Sequence, residues 1–169
     1  LEGAGAVEVE YELLEAVFDP EEALQEGAPL VHGDTNLVVH SKIRKGDVEA
    51  GFKEADLVLE REYNTHRVDH APIEPEVAVA VPTFDGITIY CPTNSPFQVR
   101  QIVAETMGMT HSQVRLIQPA IGGSFGSKCY DAGVLAARAA IAAKLTGRPC
   151  KIIYTREESI IETTKRHPY

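Results

Sequence analysis

A glycine-rich run, Ile121-Gly122-Gly123-Ser124-Phe125-Gly126-Ser127-Lys128, is the stretch of this 169-residue chain best suited to chemistry. It follows an apolar, strand-like run at 114–117 and precedes an alanine-rich helical pattern that begins near Asp131. Three glycines in five positions let the backbone turn sharply and bring bare N–H groups against a ligand. A strand, a glycine loop and a helix in succession commonly present amides to an anion or an oxo group. The pattern therefore predicts a ligand site at 122–126, or else a tight turn in which the glycines serve geometry alone.

Two familiar glycine motifs are excluded. A P-loop requires Gly-Lys-Ser/Thr in succession, but Ser127 separates Gly126 from Lys128, and Cys129 stands where the hydroxyl residue would be. A dinucleotide-binding fingerprint requires glycine at position 121, which is isoleucine here. The loop therefore belongs to neither class of nucleotide-binding site.

Composition and charge narrow the class of protein. The chain is 44% hydrophobic and 24% charged, as is ordinary for a globular protein, and it has no run of eighteen apolar residues. Cys91, Cys129 and Cys150 lack zinc-ligand spacing and suggest no disulfide framework, which indicates a reducing cytoplasm. The net charge of −9, with no basic stripe, argues against nucleic acid as a partner. Residues 1–62 carry most of the excess negative charge, so the half that holds the glycine loop could accept an anionic cofactor.

Periodicity predicts an α+β fold of β-β-α-β-α-β order, with two layers and a mixed sheet. The first helix should begin at Ser95-Pro96, end at Gly108 and bury one apolar face. The second helix should approach the sheet closely through its alanines and pack through its larger apolar residues. The predicted strands are 77–81, 87–91, 114–118 and 150–154, and an Asp85-Gly86 hairpin turn joins the first two. The apolar face of the first helix consists of Val99, Ile102, Val103 and Met107. The second helix is predicted at 131–145, and its packed side consists of Val134, Ile141 and Leu145.

The N-terminal third gives weaker signals. Alternation at 7–11 predicts a half-buried strand, and Pro20 with two acidic residues after it predicts a short helix. A second short helical stretch is expected at 47–52. His66 and His70, four apart, raise the possibility of a metal site, but in extended chain they would be ~13 Å apart, which favours ordinary polar residues.

Several motifs in a fixed order make the chain resemble the large subunit of the molybdenum hydroxylases, the family of xanthine dehydrogenase and aldehyde oxidase. The family pattern reads Gly-Gly-x-Phe-Gly-x-Lys, Thr-Gly-Arg-Pro, Arg-Glu-Glu and Arg-His-Pro, preceded by His-x-x-(Leu/Met)-Glu-Pro. Matching blocks cover residues 66–169, and a weaker likeness reaches the N-terminus. The blocks in this chain are His70-Ala71-Pro72-Ile73-Glu74-Pro75, the glycine run, Thr146-Gly147-Arg148-Pro149, Arg156-Glu157-Glu158 and Arg166-His167-Pro168.

The resemblance implies a cofactor, an activity and a domain plan. A molybdenum–pyranopterin cofactor would insert water-derived oxygen into an N-heteroaromatic or aldehyde carbon of a small-molecule substrate. Electrons would leave through iron–sulfur clusters, in many members onward to FAD, on other domains or subunits. Residues 1–32 would be the C-terminal piece of a hammerhead-like domain, 33–62 a connector, and 63–169 the first part of the molybdopterin-binding domain. The expected location is the cytoplasm, with no membrane partner.

The resemblance also assigns site residues. Asn94 stands where the family usually has a glutamine whose amide reaches an apical ligand of molybdenum, although Asn also suits a plain turn. Phe125 would form a platform for a planar substrate, or would be a core residue that pins the loop; simple exposure to solvent is not expected. No side chain is expected to ligate the metal directly. The cofactor-binding set is Gly122, Gly123, Ser124, Gly126 and Asn94, with Phe125 and Asn94 acting in catalysis.

Three further features qualify the resemblance. Cys129 stands where purine-oxidising members carry a substrate-orienting glutamate, which argues against purine oxidation. Lys128 would either neutralise a phosphate or face solvent. The family's general base and most pterin-gripping segments are expected beyond Tyr169, so the chain is expected to be part of a longer enzyme and inactive alone.

Two alternatives stay open on sequence grounds. The chain could be a stand-alone binding or assembly module with the same fold and no metal, which the departures at Asn94 and Cys129 favour. It could also be a phosphate-binding domain that uses the glycine loop alone. Motifs that are still running at Tyr169 favour the enzyme instead.

Overall fold

The computed structural model describes residues 5–169. The chain divides into two compact units, residues 1–59 and Glu60–Tyr169, which are described separately. The division into 1–32, 33–62 and 63–169 stays a prediction. No helix among the described residues is long and apolar enough to span a bilayer.

Two short helices lie in the described part of the first unit, and few of its residues are buried. Helix α1 (Pro20–Ala23) begins after Asp19, whose Oδ1 accepts the N–H groups of Glu21 and Glu22 at 2.8 and 3.0 Å. Helix α2 (Val48–Glu54) begins after Asp47, which caps it through the N–H of Ala50. Both predicted helices are therefore confirmed, because each has a carboxylate for its free N–H groups.

The predicted strand at 7–11 is wrong. These residues have no regular secondary structure, and Val7 and Val9 are 67% and 59% exposed. Alternation of apolar and charged residues produces a half-buried strand only where a partner strand and a core face are available. Neither is present for this segment within the described part of the chain.

A four-stranded mixed sheet forms the centre of the second unit, as predicted. The strands are β1 (Val77–Pro82), β2 (Ile87–Tyr90), β3 (Val114–Ile117) and β4 (Cys150–Ile153), in the spatial order β3-β2-β1-β4. Strand β1 is antiparallel to β2 and β4, whereas β2 and β3 are parallel. The parallel pair requires a crossover, and the helix between β2 and β3 provides it.

The turn between β1 and β2 shows why glycine stands at its end. The N–H of Thr83 donates to the carbonyl of Gly86 at 2.9 Å and closes the turn. A Cβ on Gly86 would lie 2.0 Å from the carbonyl oxygen of Gln113. The predicted Asp-Gly hairpin turn is therefore confirmed, and close approach of the 3₁₀ turn His111–Gln113 is what requires the glycine.

Three helices complete the second unit: α3 (Pro96–Met107), α4 (Tyr130–Thr146) and α5 (Arg156–Glu162). Helix α3 ends at Gly108, whose φ of 63° lies in the left-handed region, and its predicted apolar face is confirmed. Helix α4 packs against β1 and against α3.

The predicted packed side of α4 is wrong. Ile141 and Leu145 are 42% and 81% exposed, and the buried face consists of small residues around one leucine. Because the facing residues of β1 are also alanines, helix and strand approach too closely for branched side chains. The buried α4 residues are Asp131, Ala132, Gly133, Leu135, Ala136, Ala137, Ala139, Ala140 and Ala143.

Candidate functional site

The glycine loop, residues 121–128, connects β3 to α4 and has an unusual backbone. Gly123 and Gly126 have φ of 99° and 104°, which side chains rarely allow. Phe125 has φ of 54° and is one of two non-glycine residues with positive φ among residues 5–169; the other is Ala71. Strained backbone of this kind persists only where its surroundings hold it, and it concentrates at functional sites.

A neighbouring stretch, which we call the 66–74 segment, packs along the loop. A Cβ on Gly122 would lie 2.5 Å from Glu74 Cβ, and one on Gly123 would lie 3.3 Å from Pro72 Cβ. A Cβ on Gly126 would lie 3.4 Å from His70 Nε2. Alternate residues of the segment therefore face successive glycines, and the glycines permit this approach.

Glu74 and Lys128 fasten the loop at both ends. The N–H of Glu74 donates to the Gly122 carbonyl at 3.2 Å, and the Gly122 N–H donates to Glu74 Oε2 at 3.0 Å. The same oxygen forms an ion pair with the ammonium group of Lys128. Burial acts to raise the pKa of Glu74, but the hydrogen bonds from Lys128 and Gly122, with the Lys128 charge, hold it below its usual value.

The expectation that Lys128 faces solvent is wrong, because its side chain is only 1% exposed. Its ammonium group forms an ion pair with Glu74, and a role toward a phosphate stays a prediction. A buried charge needs a partner, and the carboxylate from the 66–74 segment supplies one.

Four consecutive amides of the loop remain free donors. The N–H groups of residues 123–126 have no acceptor within the described part of the chain. Ser124 instead closes the end of the loop: its carbonyl accepts the Ser127 N–H and hydroxyl at 3.0 and 2.9 Å, and its Oγ accepts the Lys128 N–H at 3.2 Å. A concave run of unpaired N–H groups can bind an anionic or oxo acceptor.

Residues near the C-terminus hold the 66–74 segment in place. Arg156 donates to the carbonyls of Pro72 and Ile73, the latter at 3.3 Å. Lys165 Nζ lies 2.8 Å from Asp69 Oδ2. The motif that contains Arg156, and Lys165 directly before the Arg166-His167-Pro168 motif, therefore support the loop through the 66–74 segment.

Arg166 makes further contacts with the 66–74 segment. Hydrogen bonds and nearby charges also favour the ionised form of Asp69 in this segment. Arg166 donates to the His66 carbonyl at 2.8 Å and forms a backbone bridge with Val68. Burial acts to raise the pKa of Asp69, but the hydrogen bonds from Lys165 and the Ala71 N–H, with the charges of Lys165 and His70, hold it below its usual value. The 66–74 segment is thus held in place by both backbone and side-chain hydrogen bonds.

Asn94 lies beside Lys128, the last residue of the glycine loop. Its N–H donates to the Lys128 carbonyl at 3.3 Å, and Thr93 Oγ1 donates to the same carbonyl at 2.6 Å. Cys129 Sγ donates to Asn94 Oδ1 at 3.1 Å. The two positions that depart from the family pattern are therefore in direct contact, although the roles of both residues stay predictions.

Phe125 does not pin the loop from the core. Its side chain is 77% exposed, so the prediction of a core residue that pins the loop is wrong, and the ring is free to contact a ligand.

Cys91 is a buried residue with a structural role, since burial raises the pKa of its thiol to about 12. Among the described residues, no group of three or more His, Cys, Asp or Glu side chains is arranged to hold a metal ion.

Sequence reasoning missed two features of this site. Glu74 and Lys128 were each part of a motif, but their pairing spans 54 positions and left no local signal. His70 was treated as an ordinary polar residue, yet its ring lies against Gly126. The fixed spacing of both motifs was the signal that could have suggested a contact between them.

Comparison with known proteins identifies the family of this arrangement. Residues 31–169 match the molybdopterin cofactor-binding domain. The chain belongs to this family. The predicted resemblance to the molybdenum hydroxylases is thereby confirmed, and so is the prediction of a molybdenum cofactor as the ligand class.

Individual relatives of the chain agree with this family assignment. The chain is 40% identical over 168 residues to the nicotinate dehydrogenase large molybdopterin subunit of Eubacterium barkeri, covering 99% of this chain and 39% of that protein. It is 33% identical over 167 residues to the xanthine dehydrogenase molybdenum-binding subunit of Escherichia coli O157:H7, covering 98% and 22%. The aldehyde oxidoreductase structure from Desulfovibrio gigas superposes with a TM-score of 0.81 at 28% identity, covering 99% and 18%. The chain thus spans less than half the length of each of these relatives.

The site fits a cofactor of this kind. The free amides at 123–126 supply donors, and glycines at 122, 123 and 126 keep the loop backbone bare of side chains. His70 Nδ1 is enclosed and has no hydrogen-bond partner among the described residues. Donors without acceptors and a bare backbone are what an oxygen-rich, anionic group requires.

Proposed function

We propose that the chain is the cofactor-binding part of a molybdenum hydroxylase that inserts water-derived oxygen into an N-heteroaromatic or aldehyde carbon. The observation that carries this proposal is the row of four unpaired amide N–H groups at 123–126. Preorganised donors of this kind stabilise negative charge on oxygen in a site from which water is excluded. Family membership supplies the identity of the group that they bind.

The residues of this chain would bind and orient rather than react. The bound cofactor supplies the redox chemistry and the oxygen transfer. The amides of residues 123–126 hold its oxygen acceptors, and the Glu74–Lys128 pair fixes the loop that carries them. The exposed ring of Phe125 offers a planar substrate a stacking face. The Asn94 side chain, next to the loop, provides an amide that can donate and accept.

Cys129 narrows the proposed substrate. A thiol is a weak hydrogen-bond donor and cannot replace the carboxylate that purine-oxidising members carry at this position. The relative from Eubacterium barkeri is named for nicotinate, a single-ring N-heteroaromatic compound. We therefore place an N-heteroaromatic carboxylate or an aldehyde ahead of a purine as the substrate.

The wider architecture follows the family plan. Residues 63–169 would be the first part of a two-layer cofactor domain, 33–62 its connector, and 1–32 a piece of a hammerhead-like domain. Iron–sulfur clusters, with FAD in a flavin-linked enzyme, would lie on other domains or subunits and accept the electrons. A cytoplasmic location agrees with the three free cysteines.

The experiment uses the full-length protein produced with molybdate in the medium. Molybdenum and pterin content per chain are measured beside dye-linked oxidation of nicotinate, xanthine and an aldehyde. Phe125→Leu should keep the metal content but raise KM, because it retains volume and loses the ring face. Phe97→Leu is the matched control, since Phe97 is 74% exposed on α3.

Each outcome decides between functions. About one molybdenum per chain with activity toward a heteroaromatic or an aldehyde supports the proposal. Absence of both molybdenum and pterin from the full-length protein would overturn it and favour the metal-free module. Unchanged kinetics in Phe125→Leu, with metal present, would remove the platform role alone.

A further inference from the structure

His70 contacts the glycine loop at Gly126, whose φ is 104°. Its Nε2 and Cδ2 atoms lie 3.4 and 3.7 Å from the position that a Cβ on Gly126 would occupy. Neither ring nitrogen has a hydrogen-bond partner among the described residues, and Nδ1 is fully enclosed. An imidazole carries at least one N–H donor, so the ring brings a donor without an acceptor close to Gly126.

The position of the ring is fixed from both sides. On one side, Asp69 Oδ1 accepts the Ala71 N–H at 2.7 Å while Oδ2 lies 2.8 Å from Lys165 Nζ. On the other side, Pro72 is fully buried and its carbonyl accepts from Arg156. Ala71, directly after His70, has φ of 39°, which a side chain adopts only when its surroundings impose it. The chain therefore places this imidazole at the loop at the cost of backbone strain.

The burial of Nδ1 indicates which nitrogen carries the proton. A buried N–H without an acceptor is costlier than a buried lone pair without a donor. The neutral ring therefore carries its proton on Nε2, the nitrogen that lies against Gly126. This tautomer places a donor next to Gly126, one of the residues whose amides are free.

We propose that His70 is a cofactor-binding residue, whose Nε2–H donates to the acceptor group held by the amides of residues 123–126. The inference rests on the proposed function, because it takes the molybdopterin cofactor as the group at the loop. It goes beyond that function by adding a side-chain donor from a separate segment of the chain.

The test compares two substitutions in the loaded full-length enzyme. His70→Gln keeps an N–H donor near the Nε2 position, whereas His70→Met keeps bulk and removes the donor. We expect His70→Met to release cofactor about tenfold faster, the factor expected for one hydrogen bond, and His70→Gln to stay near wild type. The Mo(V) electron paramagnetic resonance signal should shift in His70→Met only. His66→Met, at an exposed histidine four residues earlier, is the matched control.

A second measurement does not depend on whether the variants fold. Diethyl pyrocarbonate modifies accessible imidazole nitrogens, and mass spectrometry locates the modified residue. In the wild-type enzyme, cofactor loading should protect His70 and leave His66 reactive. Equal reactivity of His70 in loaded and cofactor-free enzyme would overturn the inference, as would equal cofactor release from His70→Met and wild type. A wild-type protein that takes up no molybdenum would overturn the proposed function itself, which is a different result.

Discussion

The carboxylate of Glu74 binds the ammonium group of Lys128 and the N–H of Gly122 through one oxygen atom. These contacts join the first glycine of the loop to the lysine that ends it, and both to a segment about fifty residues earlier. The loop keeps four amides free because its two ends are held by other groups. A site that holds its donors in place before the ligand binds loses less entropy on binding.

The ion pair should show strong coupling in a double-mutant cycle. Glu74→Gln leaves the ammonium of Lys128 uncompensated at 1% exposure, so we expect a loss of about 3 kcal/mol in the free energy of unfolding. Lys128→Met leaves a carboxylate that is 31% exposed and can be hydrated, so its cost should be smaller, about 1–2 kcal/mol. Denaturant unfolding of the two single variants and the double variant measures the coupling. Additive effects would show that the pair does not act as a unit.

The same pair predicts a pH dependence. Because the folded-state pKa of Glu74 is held below its usual value of 4.5, the charged form stabilises the folded protein above that pH. This contribution should disappear as pH falls below 4.5 and through the lowered pKa. The stability difference between wild type and Glu74→Gln should therefore narrow from pH 7 to pH 3. A difference that stays constant over this range would contradict the lowered pKa.

Gly122→Ala should disturb the site through a steric clash alone, because the backbone of Gly122 is not in the left-handed region that side chains disfavour. Its added Cβ would lie 2.5 Å from Glu74 Cβ, which forces the 66–74 segment away from the loop. We expect a cost of about 2 kcal/mol, within the range for overpacking, and a lower molybdenum content in the full-length enzyme. Gly147→Ala is the control: its φ of 64° costs about 1–2 kcal/mol, but nothing lies within 4 Å. Full molybdenum content in Gly122→Ala would show that the close approach is not needed for the cofactor.

Much of the second unit could be predicted from sequence because local signals set its boundaries. Pro96 and Gly108 mark the ends of α3, and Gly147 ends α4 in the left-handed conformation. The side of α4 that packs could not be predicted in this way. A rule that places large apolar residues inside fails where the facing strand offers only Ala78 and Ala80.

The sequence predicts a ligand site at the glycine loop, and that assignment stays a prediction. It also predicts bare N–H groups in the loop, and the N–H groups of residues 123–126 have no acceptor among the described residues. The sequence did not indicate that the 66–74 segment packs against the Cβ positions of the same glycines. Contacts between residues fifty or more positions apart leave no periodic trace, so the roles of Glu74, Arg156 and Lys165 required the structure.

Helix packing provides a stability test away from the site. A Cβ on Gly133 of α4 would lie 2.4 Å from Ile102 Cδ1 of α3. Gly133→Ala gains about 1 kcal/mol of helix propensity but should lose about 1–3 kcal/mol to overpacking. Ile102→Val removes the clashing methyl group, so it should destabilise wild type yet stabilise Gly133→Ala. Thermal unfolding of the four proteins measures this reversal of sign, and its absence would show that the helices separate freely.

The contact between Cys129 and Asn94 gives the last prediction, which concerns catalysis rather than stability. The thiol donates to Asn94 Oδ1 at 3.1 Å, so it orients the amide and leaves the NH₂ group to donate elsewhere. Cys129→Ser keeps a donor, and Cys129→Ala removes it. In the full-length enzyme we expect Cys129→Ala to lower kcat/KM about tenfold, the effect of one lost hydrogen bond, while Cys129→Ser stays close to wild type.

Two further measurements separate orientation from folding. Molybdenum content and the midpoint of thermal unfolding should be unchanged in both cysteine variants, since Asn94 is exposed and the contact is peripheral to the core. Asn94→Gln should also keep the metal, but its longer side chain moves the amide away from Cys129, so Cys129→Ala should have little further effect in that background. If Cys129→Ala and Cys129→Ser reduce kcat/KM equally, the thiol acts through its size or its chemistry and not as a donor to Asn94.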